Sequence, residues 1–177
     1  STWMPKTRGD YLGIGAGAVF LIALNNGLLF LGQVTTTPAA ASVMYGLNPI
    51  VAPIFAWWLL GDRLSGLGAV GIGIALCGVV IIVQPSPSTF TDASTVGQLF
   101  VLGAAGAVAL GSVLLRRLGP RMASSSLTAW AMAGGAVILH AISLLMGEPR
   151  PSLLALEPVT VLSLLSLAIP STAVAYA

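Results

Sequence analysis

Four polar side chains lie inside otherwise apolar segments of this chain, where uncharged hydrogen-bonding groups could hold a small molecule: Asn25, Asn26, Tyr45 and Asn48. A polar group at such a depth is costly unless it pairs or faces a wet cavity. The two asparagines point about 100° apart on a helix, so at most one of them faces a central cavity squarely. We expect Asn26, Tyr45 and Asn48 to contact a substrate. The alternative is hydrogen bonding between helices, which is worth only about 1 kcal/mol.

Pro49 follows Asn48 and changes the backbone beside these side chains. Proline has no N–H, so it frees a carbonyl one turn earlier, near Tyr45, as an acceptor. Two apolar segments thus bring uncharged polar groups to one depth, which is where secondary transporters place their substrate sites. We also expect Pro49 to be a flexible point of its helix.

His140 is the one histidine of the chain and lies inside another apolar segment. Imidazole titrates near neutral pH, so His140 could couple transport to protons, although a histidine without a carboxylate partner is more often a packing residue. A dyad of Ser112 and His140 would make an intramembrane hydrolase, but no second activating group is evident, and we expect no catalytic residue and no enzyme. Cys77 stands alone, which excludes a disulfide framework, and we expect neither a metal site nor a cofactor.

The elements that position these residues are predicted to cross a membrane. The chain is 56% hydrophobic and 7% charged, with a mean hydropathy of +0.98, whereas ordinary globular domains are about 25% charged. Segments of about 20 apolar residues are candidate transmembrane helices. They run over residues 12–33, 38–60, 66–83, 96–115 and 124–146, with a sixth beginning at 158. The fold class is therefore an all-α, polytopic transmembrane helix bundle.

Lysine and arginine are distributed unevenly over the predicted loops. With alternating spans, one side holds six of the seven basic residues, Lys6, Arg8, Arg63, Arg116, Arg117 and Arg121, and the other holds Arg150. Basic loops stay on the cytoplasmic side of a membrane. We therefore expect a multi-pass protein of the cell membrane, with the Asp62-Arg63 turn and the Arg116–Arg121 loop in the cytoplasm.

Glycines recur at helical spacing inside these segments. Residues 66–71 match G-x-G-x-x-G, but a dinucleotide site needs a preceding strand and a later acidic residue, and neither is present. Small residues four apart let membrane helices approach closely. We expect this packing on two faces, Gly13 with Gly17 and Gly103 with Ala107 and Gly111.

An ordered set of residues in the first half of the chain resembles the EamA-like branch of the drug/metabolite transporter superfamily. The family pattern has a mid-helix proline, a Leu-Gly-Glu-Arg-Leu turn and a helix with two glycines. It corresponds here to Pro49, the turn Leu60-Gly61-Asp62-Arg63-Leu64, Gly71 and Gly78. Asp62 replaces the usual glutamate, which keeps the charge and shortens the side chain.

The resemblance implies part of a ten-helix transporter built from two inverted five-helix repeats (5+5). Residues 1–83 would be the last three helices of the first repeat, 84–95 an external linker, and 96–177 the first two and a half helices of the second repeat. Both ends look cut, so we expect an internal fragment of a longer protein. Thr172 and Tyr176 would face the substrate from the second repeat, while Gly71 and Gly78 would pack their helix against its neighbours.

The implied function is secondary transport, with export as the expected direction, of a small metabolite or drug-like molecule by alternating access. The expected partners are the lipid bilayer and a small-molecule substrate, with a homodimer as an open alternative and no nucleic acid. Two other functions stay open. One is a non-transporting structural or assembly membrane protein, and the other, less favoured, is the intramembrane hydrolase.

Overall fold

The computed structural model describes residues 3–63, 65–83, 93–147 and 158–168, and every element in these ranges is a helix. The elements are α1 (Arg8–Ala16), a π-helical segment (Gly17–Leu24), α2 (Asn25–Thr35), α3 (Pro38–Tyr45), α4 (Asn48–Leu60), α5 (Gly66–Val83), α6 (Ala93–Leu118), α7 (Ser124–Leu145) and α8 (Pro158–Ala168). The predicted all-α fold is confirmed. The ten-helix arrangement stays a prediction.

Four helical stretches are long and apolar enough to cross a membrane: Arg8–Thr35, Pro38–Leu60, Ser94–Leu118 and Ser124–Leu145. We call the first two the first span and the second span. Each corresponds to a predicted segment, and α5 covers the predicted segment 66–83. The lengths of the helices and the composition of the chain therefore both indicate a multi-pass membrane protein.

The first span is continuous but not uniform. It begins with a capping box, in which Thr7 accepts a hydrogen bond from the backbone of Asp10 and the Asp10 carboxylate accepts one from the backbone of Thr7. Its middle, the π-helical segment, has the wider i→i+5 turn, which is rare and often marks functional positions. Because each wide turn adds a residue, this segment rotates α2 relative to α1. Apolar periodicity did not predict it.

The second span is broken at Gly46-Leu47, between α3 and α4. The N–H groups of Gly46 and Leu47 bond back to Ser42 and Met44, and the N–H groups after the break bond to Leu47. None of these bonds reaches the carbonyl of Tyr45. Proline at position 49 has no N–H to offer it, as the sequence predicted. The break therefore separates two helices where one helix with a flexible point at Pro49 was expected.

The first span packs antiparallel along α6. Leu28 of the span faces Gly103, and Leu21 faces Gly111. Residue numbers therefore decrease along the first span in the direction in which they increase along α6. At the far end Gly32 is in close contact with Gly97. Gly103 and Gly111 thus have the packing role that their spacing predicted, because the absence of a Cβ lets bulkier side chains approach.

The first span also contacts α7. A methyl group at Gly17 would lie 2.9 Å from Cβ of Ala131, and one at Gly134 would lie 3.0 Å from Cβ of Ala18. Gly135 is also in close contact with Ile22. The first span therefore contacts both α6 and α7: α2 carries most of the contact with α6, and the named contacts with α7 lie in the π-helical segment.

Contacts along the chain define two compact units, residues 1–140 and 141–177. In the first unit, the buried residues Ala41, Met44 and Val101 form a core shared by α3 and α6, with Tyr45 packed against it. In the second unit, α8 is an apolar helix. The first unit runs past the predicted linker, because α6 packs against the first span.

The basic loops meet at one end of the first unit. Arg116, near the end of α6, forms an ion pair with Asp62 at 3.2 Å. The backbone N–H of Arg121 donates to the carboxylate of Asp10 at 2.7 Å. The start of the first span, the end of α4 and the end of α6 therefore lie at the same end, as alternating spans require. We call it the charged end.

Candidate substrate site

A hydrogen bond joins the first two spans inside their apolar length. The Tyr45 hydroxyl donates to Oδ1 of Asn25 at 3.1 Å, and Asn25 is only 7% exposed. Asn25 is ten residues from the end of the first span at Thr35, or about 15 Å at the helical rise of 1.5 Å per residue. Two uncharged polar groups thus meet well inside the apolar region.

Asn26 and Asn48, two other predicted site residues, are close to this pair along the chain but are held differently. Asn26 is half-buried and donates from Nδ2 to the carbonyl of Ile22 on its own helix at 2.8 Å. Asn48 is half-buried in the first turn of α4, three residues beyond Tyr45. Position 49 lies in the same turn of α4. Thr172 and Tyr176 lie outside the described residues.

Asn25 is the residue that sequence reasoning passed over in favour of Asn26. Periodicity could not single it out, because the π-helical segment ends at Leu24, directly before Asn25, and changes the rotation of the residues that follow. In the structure Asn25 is buried and its side chain bonds to Tyr45.

A small cavity adjoins Tyr45 on the side away from the charged end. Its volume is about 140 Å³, and Leu29, Gln33, Ala41, Ser42 and Tyr45 line it. The Ser42 hydroxyl donates to the carbonyl of Pro38 at 2.8 Å. Its oxygen can still accept a hydrogen bond, and Gln33 adds an amide. The cavity therefore offers polar groups beside the Tyr45–Asn25 pair.

A larger cleft lies between α4 and α6 at the charged end, and we call it the charged-end cleft. Its volume is about 430 Å³, within the range of small-molecule sites. It is lined by Ala52, Pro53 and Ala56 of α4, by Ser112, Val113 and Arg116 of α6, and by Asp62 and Arg63 of the turn. Along the second span, Tyr45 thus lies between the small cavity and this cleft.

The residues of the charged turn have a structural role that follows from backbone geometry. Gly61 ends α4 with φ at +73°, a left-handed conformation that glycine adopts without strain. The N–H groups of Gly61 and Asp62 bond back to Trp57 and Ala56. Asp62 is then placed to pair with Arg116, while Arg63 is exposed.

Gly71 and Gly78 lie on α5, which contacts α4. A methyl group at either glycine would meet no atom of the described chain within 4 Å. The packing role predicted for these two glycines thus finds no contact in the described part of the protein and stays a prediction. The G-x-G-x-x-G match at 66–71 begins α5, directly after the charged turn rather than after a strand.

Ser112 and His140 are not joined by a hydrogen bond in the described residues. The Ser112 hydroxyl donates to the carbonyl of Val108 at 2.8 Å, one turn back on α6. His140 is exposed on α7. Nothing in this arrangement activates a serine nucleophile. Within the described ranges, no group of three or more histidine, cysteine or acidic residues could hold a metal ion.

The sequence profile of the EamA-like transporter family matches residues 2–84. Residues 2–84, nearly half of the chain, therefore form an EamA-like region. The match ends one residue after α5, and it includes the charged turn and both asparagines of the first span. The resemblance drawn from Pro49, the Gly61-Asp62-Arg63 turn and the two glycines of α5 is thereby confirmed.

Individual relatives extend the similarity beyond the family profile. The chain is 31% identical over 146 residues to the uncharacterized transporter YyaM of Bacillus subtilis, covering 81% of this chain and 47% of that protein. It is 33% identical over 138 residues to an uncharacterized transporter of Archaeoglobus fulgidus, covering 78% and 46%. A chloroplastic WAT1-related protein of Arabidopsis thaliana is 28% identical over 182 residues, covering 96% and 44%.

The chain spans about half the length of the curated relatives it matches. No solved structure matches it significantly. The EamA-like region and the long apolar helices place the chain among multi-pass membrane proteins.

Proposed function

We propose that this chain, with its EamA-like region, forms part of a secondary transporter that exports a small polar or amphipathic metabolite by alternating access. The substrate would contact the Tyr45–Asn25 pair, with Asn26 and Asn48 beside it. Thr172 and Tyr176 would contribute from the second repeat. In this proposal residues 1–83 end the first repeat, 84–95 connect the repeats outside the cell, and 96–177 begin the second.

The observation that carries the proposal is the hydrogen bond from Tyr45 to Asn25 at the break between α3 and α4. Broken helices inside a membrane expose backbone acceptors, and transporters use them beside their substrate sites. The carbonyl of Tyr45 is such an acceptor here. Because Tyr45 also lies between the small cavity and the charged-end cleft, opening either one would expose the pair to one side of the membrane.

The charged end is proposed to face the cytoplasm of the cell that carries this protein, in its plasma or inner membrane. The grouping of Lys6, Arg63, Arg116 and Arg121 at one end supports this orientation, because basic loops are retained in the cytoplasm. His140, exposed on α7, is kept as a proposed proton-coupling residue. A homodimer stays a proposal as well.

The proposal is tested with the full-length protein reconstituted into liposomes. Saturable flux of at least one compound from a broad metabolite panel is expected. Tyr45→Phe and Asn25→Leu should reduce that flux, whereas Val34→Ala should not, since Val34 is highly exposed on the same helix as Asn25. Absence of saturable flux across the panel would count against transport.

The structural-protein alternative makes a different prediction for the same assay. If the asparagines serve only helix packing, Asn26→Leu and Asn48→Leu leave flux unchanged while Asn25→Leu lowers thermal stability. A loss of flux at unchanged stability in Asn26→Leu or Asn48→Leu would instead support contact with the substrate.

A further inference from the structure

We propose that the charged-end cleft binds the anionic group of an amphiphilic molecule, with Arg63 and Arg116 on the anion and α4 and α6 on its apolar part. The anion would be a phosphate or a carboxylate. The cleft is distinct from the Tyr45–Asn25 pair, so its occupancy does not depend on the proposed transport function.

The walls of the cleft are built to hold an apolar body. Ala52, Pro53 and Ala56 share one face of α4 at i, i+1 and i+4, and Ser112 and Val113 lie on the facing side of α6. Four of these five side chains are apolar. Small-molecule sites combine such apolar walls with a few placed polar groups.

The mouth of the cleft is positively charged. Two guanidinium groups, from Arg63 and Arg116, and one carboxylate, from Asp62, line it, which gives a net charge of +1. The carboxylate pairs with Arg116 at 3.2 Å. Within the described ranges Arg63 makes no ion pair, so its five donors face solvent at the mouth. Guanidinium groups match phosphate and carboxylate oxygens in pairs.

Basic residues at the ends of membrane helices also set orientation, and that role needs no cleft. The position of Arg116 separates the two explanations. Arg116 lies four residues after Ser112, on the face of α6 that lines the cleft, whereas the adjacent Arg117 does not line it, although both side chains are exposed. Orientation would use both arginines alike, but binding in the cleft uses only Arg116. Arg117 is therefore a matched control.

Two sources supply this chemistry, an acidic phospholipid of the bilayer and a soluble organic anion. In the first case the acyl chains would leave the cleft between α4 and α6 towards lipid. In the second the cleft would collect an amphiphilic anion from the side of the charged end. The recognition by Arg63 and Arg116 is the same, so a single set of variants serves both tests.

The soluble source is tested by titrating octyl phosphate into the full-length protein in nanodiscs of phosphatidylcholine, with inorganic phosphate as a competitor. Saturable binding is expected, with Arg63→Gln and Arg116→Gln each weakening it about tenfold, since each removes charge-assisted hydrogen bonds. Arg117→Gln should leave affinity within about twofold of the wild type, since this guanidinium lies outside the cleft. The affinity of Arg63→Lys, which keeps the charge, should lie between those of the wild type and Arg63→Gln.

The lipid source is tested by thermal stability in nanodiscs with and without phosphatidylglycerol. Stabilisation by phosphatidylglycerol that is lost in Arg63→Gln and Arg116→Gln but kept in Arg117→Gln assigns the cleft to lipid. The same pattern for octyl phosphate alone assigns it to a soluble anion. The cleft proposal is overturned if octyl phosphate does not bind and phosphatidylglycerol does not stabilise the protein. It is also overturned if all three arginine variants lose equal affinity for octyl phosphate and equal stabilisation by phosphatidylglycerol.

Discussion

Gly32 and Gly97 bring the first span and α6 into close contact, and replacing Gly32 by alanine tests how much this contact contributes. A methyl group at Gly32 would lie 2.6 Å from the carbonyl oxygen of Gly97 and 2.6 Å from Cγ2 of Val101. Ordinary contacts of a Cβ are 3.4–4 Å. The backbone oxygen cannot rotate away, and Val101 is fully buried, so the helices must separate by about 1 Å.

Such overpacking lowers the free energy of unfolding by about 1–3 kcal/mol. Gly27→Ala is the matched control on the same helix, because a methyl group there would lie 3.9 Å from Leu139. Both substitutions gain about 1 kcal/mol of helix propensity, so this gain cancels in the comparison. At about 2–4 °C per kcal/mol, the melting temperature of Gly32→Ala should fall about 2–12 °C below that of Gly27→Ala.

The measurement is thermal unfolding of the two purified variants in one detergent, followed by loss of the monodisperse peak in size-exclusion chromatography. Flux in liposomes, where it is measurable, should fall with the same variant. Equal melting temperatures for Gly32→Ala and Gly27→Ala, or a higher one for Gly32→Ala, would refute the close packing of the first span on α6.

Three further substitutions test other parts of the structure. Gly61→Ala should lower the free energy of unfolding by about 1–2 kcal/mol, because its φ of +73° is strained for alanine. Gly66→Ala should not lower it, since a methyl group there meets no atom within 4 Å. Equal melting temperatures of the two variants would contradict the left-handed turn. Asp62 and Arg116 are 45% and 64% exposed, so a double-mutant cycle should give a coupling below about 1 kcal/mol, and a much larger value would mean a buried pair. Tyr45→Phe should lower the free energy of unfolding by about 0.6 kcal/mol. A double-mutant cycle of Tyr45→Phe with Asn25→Ala that shows no coupling free energy would contradict a stabilising hydrogen bond between the two side chains.

Segment lengths and loop charges predicted the helices well, because each is fixed by local sequence. Twenty apolar residues between polar loops have few alternatives to a membrane helix. The meeting of Arg116 with Asp62 at the charged end follows from the same alternation. A flexible point was expected at Pro49 because proline removes a donor, whereas the division of the second span into two helices at Gly46-Leu47 was not expected.

The choice between Asn25 and Asn26 could not be settled by periodicity alone. The π-helical segment changes the rotation of α2 relative to α1, so an ideal helix of 3.6 residues per turn misplaces everything after Leu24. That segment contacts residues of α7 that are distant in sequence, such as Ala131 beside Gly17. The charged-end cleft was missed for a similar reason, since it needs the register of α4 against α6.

We propose that this chain, with its EamA-like region, belongs to a transporter whose substrate path passes the Tyr45–Asn25 pair. The most direct test is the rate of substrate flux into liposomes that contain the full-length protein, compared among wild type, Tyr45→Phe and Val34→Ala. Saturable flux is expected, with a lower rate in Tyr45→Phe and an unchanged rate in Val34→Ala. Saturable flux with the same rate and apparent affinity in all three proteins would contradict it.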